Sequence, residues 1–302
     1  MSRFFPGTQV SKGLVLAFLS FLIFSCGDAV VKHVSQNYSV ILILFWGQLT
    51  GLFLLVILAS IDKNGVLGMI RSRQFGWHIL RGVIMSGQVF CIFYAFSSIP
   101  MAQAYSFVFA APIFSTVLTR LFLKEEIPFK KWAALFTGFA GIIVILRPGF
   151  ITIEIGMLSA LLSGFLFASG YVLGRFIGSK EAPYTFGFYP FLMAFLLSTL
   201  FLAFGDGKGL YIPHSYDLML MMMTGAASAI ALLFLSWAFN YAPVPSVSSF
   251  QYTQMIWGTM FGWLIFGELP DIWTYVGGLL IIASGAYMIW HDQKAQRNYP
   301  LT

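Results

Sequence analysis

Ten long apolar runs constrain this chain more than any other feature of its sequence. They lie approximately at 13–32, 39–60, 77–98, 100–122 and 129–147, then 155–177, 185–205, 218–241, 244–266 and 271–290. A helix needs about 20 residues to cross a hydrocarbon layer about 30 Å thick, whereas a barrel strand needs about ten. Inside that layer each backbone N–H and C=O must be satisfied by the protein itself, so runs of this length read as α-helices. With 59% hydrophobic residues and 9% charged, the chain lacks the polar skin of a soluble domain. The expected fold class is an all-α integral membrane protein of ten transmembrane helices.

The runs fall into two related sets of five. At a constant offset of 143, Ala95, Phe96, Pro100, Ser106, Phe107, Ile113, Thr116, Leu121 and Glu125 recur as Ala238, Phe239, Pro243, Ser249, Phe250, Ile256, Thr259, Leu264 and Glu268. The same offset carries Gly13, Ala17, Ser20, Phe24 and Gly27 onto Gly156, Ala160, Ser163, Phe167 and Gly170. The chain therefore divides into a tail at 1–12, a first repeat at 13–147, a second at 155–290 and a tail at 291–302.

Charge gives the orientation. Placing the N-terminus in the cytoplasm puts 14 of the 17 Lys and Arg on or beside the inner side, leaving Lys32, Arg147 and Lys208 outside. Both termini are then cytoplasmic. Five spans per repeat make the second enter the membrane from the opposite side, and inverted halves are the architecture of alternating access in carriers. The net charge of +6 follows this topology and does not point to nucleic acid.

The first run resembles a secretory signal, since Arg3 and Lys12 precede an apolar stretch ending at Ser25, Cys26 and Gly27. It is expected to be retained, because Phe24 is too bulky for the cleavage box and the run has a counterpart at 156–175. Cys26 and Cys91 both fall in spans and form no disulfide framework or metal cluster. No Gly-rich phosphate loop is present, so energy comes from an ion gradient, a counter-substrate or the solute gradient. His33, His78, His214 and His291 lie apart at span ends and loops, which argues against an enzyme. No cofactor is called for.

Asp28 is the one carboxylate well inside a span, about six residues past the midpoint of the first and so about 9 Å toward the outer side. A charge there costs several kcal/mol unless paired, protonated or wetted, which makes it a candidate for proton or cation coupling. The alternative is structural: Lys32 follows at i+4 and pairs with it. Gln48, Gln88, Gln251 and Gln254 lie near the midpoints of their spans and as a set form a candidate polar cavity; for any one amide the alternative is a hydrogen bond across packed helices. Tyr94, Tyr105, Trp237, Tyr252 and Trp257 add aromatic faces with polar tips, while Trp46 and Tyr189 lie too deep for an interfacial belt. Such a lining suits a moderately polar organic molecule with a planar or apolar part. Gly residues four apart, such as Gly47 with Gly51 and Gly258 with Gly262, supply close helix contacts, and Pro112 bends the fourth helix.

Arg81-Gly82, Tyr94-Ala95-Phe96, Pro100, Ala102, Ala104, Pro112, Lys124-Glu125, Trp132, Gly138, Gly141 and Arg147-Pro148 make the first half resemble the EamA family of the drug/metabolite transporter superfamily. Trp237-Ala238, Pro243, Tyr252, Trp257, Phe266-Gly267-Glu268 and Pro270 continue the resemblance through the second half. The resemblance implies ten helices in two inverted five-helix repeats around a cavity lined by the third, fourth, eighth and ninth spans, with contributions from the first and sixth. Relatives often carry Arg in the second span where this chain has Gln48. Glu125 and Glu268 match acidic positions that brace adjoining helices. The implied function is secondary transport of a small organic metabolite across the bacterial inner membrane, foremost export of an amino-acid-like compound. The alternative is uptake of a vitamin or cofactor such as riboflavin or S-adenosylmethionine. The implied partners are the solute, a coupling proton or counter-substrate, and membrane lipid.

Overall fold

The computed structural model describes residues 7–61, 65–122, 124, 129–147, 152–177, 183–205, 210–242, 247 and 250–298. Arg3, Lys63, Glu125, Pro148, Lys180, Lys208, Pro243 and Ser249, and the side chains of Asn240, His291, Lys294 and Arg297, lie outside the described residues. Among those described there are helices and no strands: α1 (Gly7–Val34), α2 (Val40–Ile61), α3 (Gly65–Ile70), α4 (Phe75–Ser98), α5 (Met101–Val108), α6 (Ala111–Phe122), α7 (Phe129–Leu146), α8 (Ile155–Ile177), α9 (Pro183–Phe204), α10 (Ser215–Tyr241), α11 (Thr253–Phe266) and α12 (Ile272–Asn298). Seven segments are long and apolar enough to cross a membrane, with α5 and α6 counted as one; Trp132–Leu146 and Ile272–Tyr287 are shorter apolar helices.

Two prolines shape the helices that position the site. The fourth run is two helices, α5 and α6, broken at Phe109 and Ala110. Pro112 has no N–H to offer the Val108 carbonyl four residues back, and its ring crowds that oxygen. The Ala110 N–H turns instead to Phe107 O at 3.1 Å. Gly164 of α8 packs against this break, where a Cβ would meet Phe107 O at 3.2 Å and Val108 O at 3.3 Å. Pro190 removes the same kind of donor inside α9, which stays continuous. It leaves Phe186 O without its helical donor, and Arg81 of α4 supplies one through Nη1 at 2.8 Å while its Nε donates to Gly170 O at 3.1 Å.

The packing follows the repeat. Helix α1 lies against α10, and its equivalent α8 lies against α4; α2 packs on α10 as α9 packs on α4; α6 packs on α8 as α11 packs on α1. The seats of individual glycines match as well. A Cβ on Gly13 would meet Ala242, and one on Gly156 would meet Ile99, its equivalent at the offset of 143. Gly27 faces Ala227, and its equivalent Gly170 faces Met85, with Ile84, the equivalent of Ala227, next at 3.9 Å. Close backbone approach is the reason these small residues recur.

The self-equivalent pairs run antiparallel. Along α7 and α12, Ala134 O accepts from Ser284 Oγ at 2.6 Å while Gly141 meets Gly277. Along α2 and α9, Gly51 meets Phe191 while Leu55 meets Gly187. At one point α2 and α10 touch backbone to backbone, with Gly225 against the Gly47 carbonyl.

Candidate functional site

Ser25, Asp28 and Lys32 follow one another at spacings of three and four, so they share one face of α1. The break at Pro112 leaves α5 only eight residues long, and Tyr105 in its middle turns toward that face. The Tyr105 phenol donates to Asp28 Oδ2 at 2.6 Å, with Ser25 Oγ 3.3 Å from the same phenol oxygen. A hydrogen bond this short to a carboxylate is charge-assisted. Tyr105 itself is buried, set edge-on to Phe96 at 5.3 Å and stacked with Phe109 at 6.2 Å. Gly258 of α11 makes room for the ring, since a Cβ there would sit 2.6 Å from Tyr105 Cε2. Asp28 remains half-buried and keeps one carboxylate oxygen for another partner.

Lys32 does not pair with Asp28 as the i+4 spacing allowed. Its ammonium donates to Phe96 O at 3.1 Å and Ile99 O at 2.9 Å, and forms an ion pair with Glu268 Oε1 at 3.0 Å. The reason lies in the neighbouring helix ends. Helix α4 stops at Ile99, whose extended backbone and following Pro100 leave carbonyls without helical donors. Gly267, at φ 67°, turns the chain after α11 so that the Glu268 N–H bonds to Gly262 O at 2.9 Å and its side chain reaches Lys32. Three ammonium protons meet three acceptors there, and none remains for Asp28.

The other expected site residues are distributed around this group. Tyr252 stands edge-on to Phe109 at 5.3 Å, with its hydroxyl against Gly285 of α12. Trp257 stands edge-on to Phe18 of α1 at 5.4 Å. Tyr252 Oη, Trp257 Nε1 and Trp46 Nε1 are buried without a hydrogen-bond partner among the described residues. A ligand acceptor beside these donors would remove that cost. Gln251 and Gln254 are half-buried where α11 begins, and Tyr94 is half-buried in α4. Gln88 is already engaged, donating to Ser163 Oγ of α8 at 3.2 Å, and Gln48 is buried in α2. The four amides are thus spread over α2, α4, α11 and, for Gln251, the turn just before α11.

Trp237 and Tyr189 lie elsewhere. Trp237 is 46% exposed, stacks on Phe234 at 5.9 Å and lines a groove of about 670 Å³ with Lys12, Val15, Leu16 and Tyr241. Tyr189 is buried, stacks with His78 at 5.1 Å and donates to Ile70 O at 2.7 Å, closing the end of the molecule opposite Lys32. Sequence reasoning passed over Phe18, Phe109 and the carbonyls of Phe96 and Ile99. Only the last had a signal, the Pro100 that ends α4.

Two more contacts join the halves at the Lys32 end. Arg147 pairs with Asp271, and the Tyr38 hydroxyl donates to Asp217 at 2.8 Å. By accepting that bond, Asp217 raises the Tyr38 phenol above its ordinary range.

The chain is 26% identical over 247 residues to the riboflavin transporter of Vibrio cholerae, covering 81% of this chain and 82% of that one. It is 28% identical over 278 residues to the pseudopaline exporter CntI of Pseudomonas aeruginosa, covering 91% and 95%. It is 25% identical over 286 residues to the S-adenosylmethionine uptake transporter of Rickettsia bellii, covering 94% and 96%. A solved crystal structure superposes with a TM-score of 0.64 at 16% identity, over 95% of this chain and 99% of that one, and so shares the fold. Residues 11–147 and 154–290 each match the EamA-like transporter family. The chain therefore belongs to the EamA-like transporter family, and it is a multi-pass membrane protein built for transport.

Proposed function

We propose that this protein is a secondary transporter that moves a small organic metabolite by alternating access, with its solute bound beside Asp28 and Tyr105. The observation that carries this reading is the short Tyr105–Asp28 hydrogen bond on a half-buried carboxylate; beyond it, Tyr252 on Phe109 and Trp257 on Phe18 hold polar tips without a partner among the described residues. The carboxylate takes a cationic group or proton, the aromatic faces take a planar or apolar part, and the Tyr252 and Trp257 donors take acceptors. The mutual packing of repeat-equivalent helices and the antiparallel runs of α7 with α12 and α2 with α9 support ten spans in two inverted halves. Placed in a bacterial inner membrane with both termini cytoplasmic, the Lys32 end faces outward.

The first reading of the cargo is an amino-acid-like metabolite carried outward. The aromatic surroundings of Tyr105 favour a second, a cofactor-like solute with a planar ring, which is the kind of compound named for the Vibrio and Rickettsia relatives. Counterflow in proteoliposomes loaded in turn with amino acids, riboflavin and S-adenosylmethionine tests both. Asp28→Asn should abolish counterflow of the accepted solute while the protein still inserts. Full counterflow by that variant would remove Asp28 from the site.

A further inference from the structure

Lys32 has two anionic partners within its reach and uses one. Asp28 lies four residues before it on the same face of α1, a spacing at which side chains meet. Glu268 lies across the molecule at 3.0 Å and holds it in this structure. The Glu268 pair is incompletely compensated: Lys32 is almost fully buried, while Glu268 Oε2 is buried with no hydrogen-bond partner among the described residues. A buried ion pair repays its desolvation only when its remaining lone pairs are satisfied, so the unmet Oε2 lowers the net worth of this one. Its bonds tie the end of α1 to the α4–α5 junction through Phe96 O and Ile99 O, and to the α11–α12 junction through Glu268. It therefore joins the two halves at a single ammonium.

We propose that Lys32 is an exchangeable latch: it closes this end on Glu268, as in this structure, and passes to Asp28 in an open state, so that a cationic group bound at Asp28 holds Lys32 on Glu268 and keeps the end closed. A cation arriving at Asp28 displaces Lys32 and closes the entrance behind itself. The inference rests on the reading of Asp28 as the site, and adds to it the coupling between occupancy and the gate.

The test reads opening rather than transport. In a background with Cys26→Ser and Cys91→Ser, Ala102→Cys places a buried thiol one turn below Ile99. Its rate of modification by a hydrophilic maleimide is measured in detergent, where both faces are accessible. Glu268→Gln frees Lys32 to move to Asp28, and labelling should rise about tenfold. Adding Asp28→Asn removes the second anion and leaves Lys32 on the two carbonyls, so labelling of Asp28→Asn/Glu268→Gln should fall about fivefold from Glu268→Gln alone. Equal labelling of those two variants, or no rise with Glu268→Gln, would overturn the latch and leave Lys32 a fixed brace. Glu268→Asp, which keeps the charge, should label like the parent and controls for misfolding. Counterflow of the same variants reports the site separately: Asp28→Asn that transports normally yet still lowers labelling refutes the site reading and its coupling to the gate, and keeps only the exchange of Lys32 between the two carboxylates.

Discussion

At the scale of single residues, the proposed site rests on donors placed against one carboxylate. Removing the Tyr105 hydroxyl takes a charge-assisted bond worth about 1.5–3 kcal/mol from Asp28. Tyr105→Phe should therefore slow counterflow by about tenfold or more and lower the melting temperature in detergent by several degrees without unfolding the protein, because the ring keeps its contacts with Phe96 and Phe109. Trp257→Phe keeps the edge-on contact with Phe18 and loses only Nε1, which has no protein partner among the described residues. It should raise the solute KM about fivefold, as expected for one lost neutral hydrogen bond of about 1 kcal/mol, and leave stability unchanged. Asp28 stands out in the sequence as an isolated carboxylate in an apolar run, where pairing with Lys32 was the structural alternative to a functional role. Its phenol partner was legible only as one aromatic among many, and the partner of Lys32 was not legible at all. Spacing along α1 points to Asp28, while Glu268 is brought to it by a turn at Gly267 and by the packing of three helix ends.

At the scale of elements, the contacts between helices are set by where a Cβ can be afforded. Gly225 presses on the Gly47 carbonyl, which is backbone and has no rotamer to escape into. Gly225→Ala should lower the melting temperature in detergent sharply, on the order of 2 kcal/mol or more. Gly27→Ala is the control, because the nearest atom to its Cβ would be Ala227 Cβ at an ordinary 3.5 Å. Pro112→Ala restores a donor for Val108 O and should extend helical structure across Phe109 and Ala110, read as slower amide exchange at those two residues. The helices were legible from length and hydropathy, and Pro112 from its chemistry. The place of the break, two residues before the proline, follows from the carbonyl four residues back, which no apolar pattern reports. The short α3 was not legible because its six residues carry no period that distinguishes them from a loop.

At the scale of the whole molecule, the repeat found by a constant offset is also the pattern of packing. The pairing of α1 with α10 mirrors that of α8 with α4. Reporter fusions test the orientation proposed from charge: a fusion after residue 147 should be active as a periplasmic reporter, and one after residue 290 as a cytoplasmic reporter. The reverse pattern would overturn the orientation, and the same side for both would end the inverted reading. The partners of each helix also set the order in which the protein can be assembled. The bond from Ser20 Oγ to Ala231 O spans 211 residues. At about 5–20 residues per second, α1 waits about 10–40 s after leaving the ribosome before α10 exists to receive it. During that interval its small-residue face lies against lipid, and Asp28 has no phenol until α5 arrives. A nascent helix in that condition is an open target for membrane quality control, so slowing translation upstream of α10 should cost this transporter yield before it costs it activity.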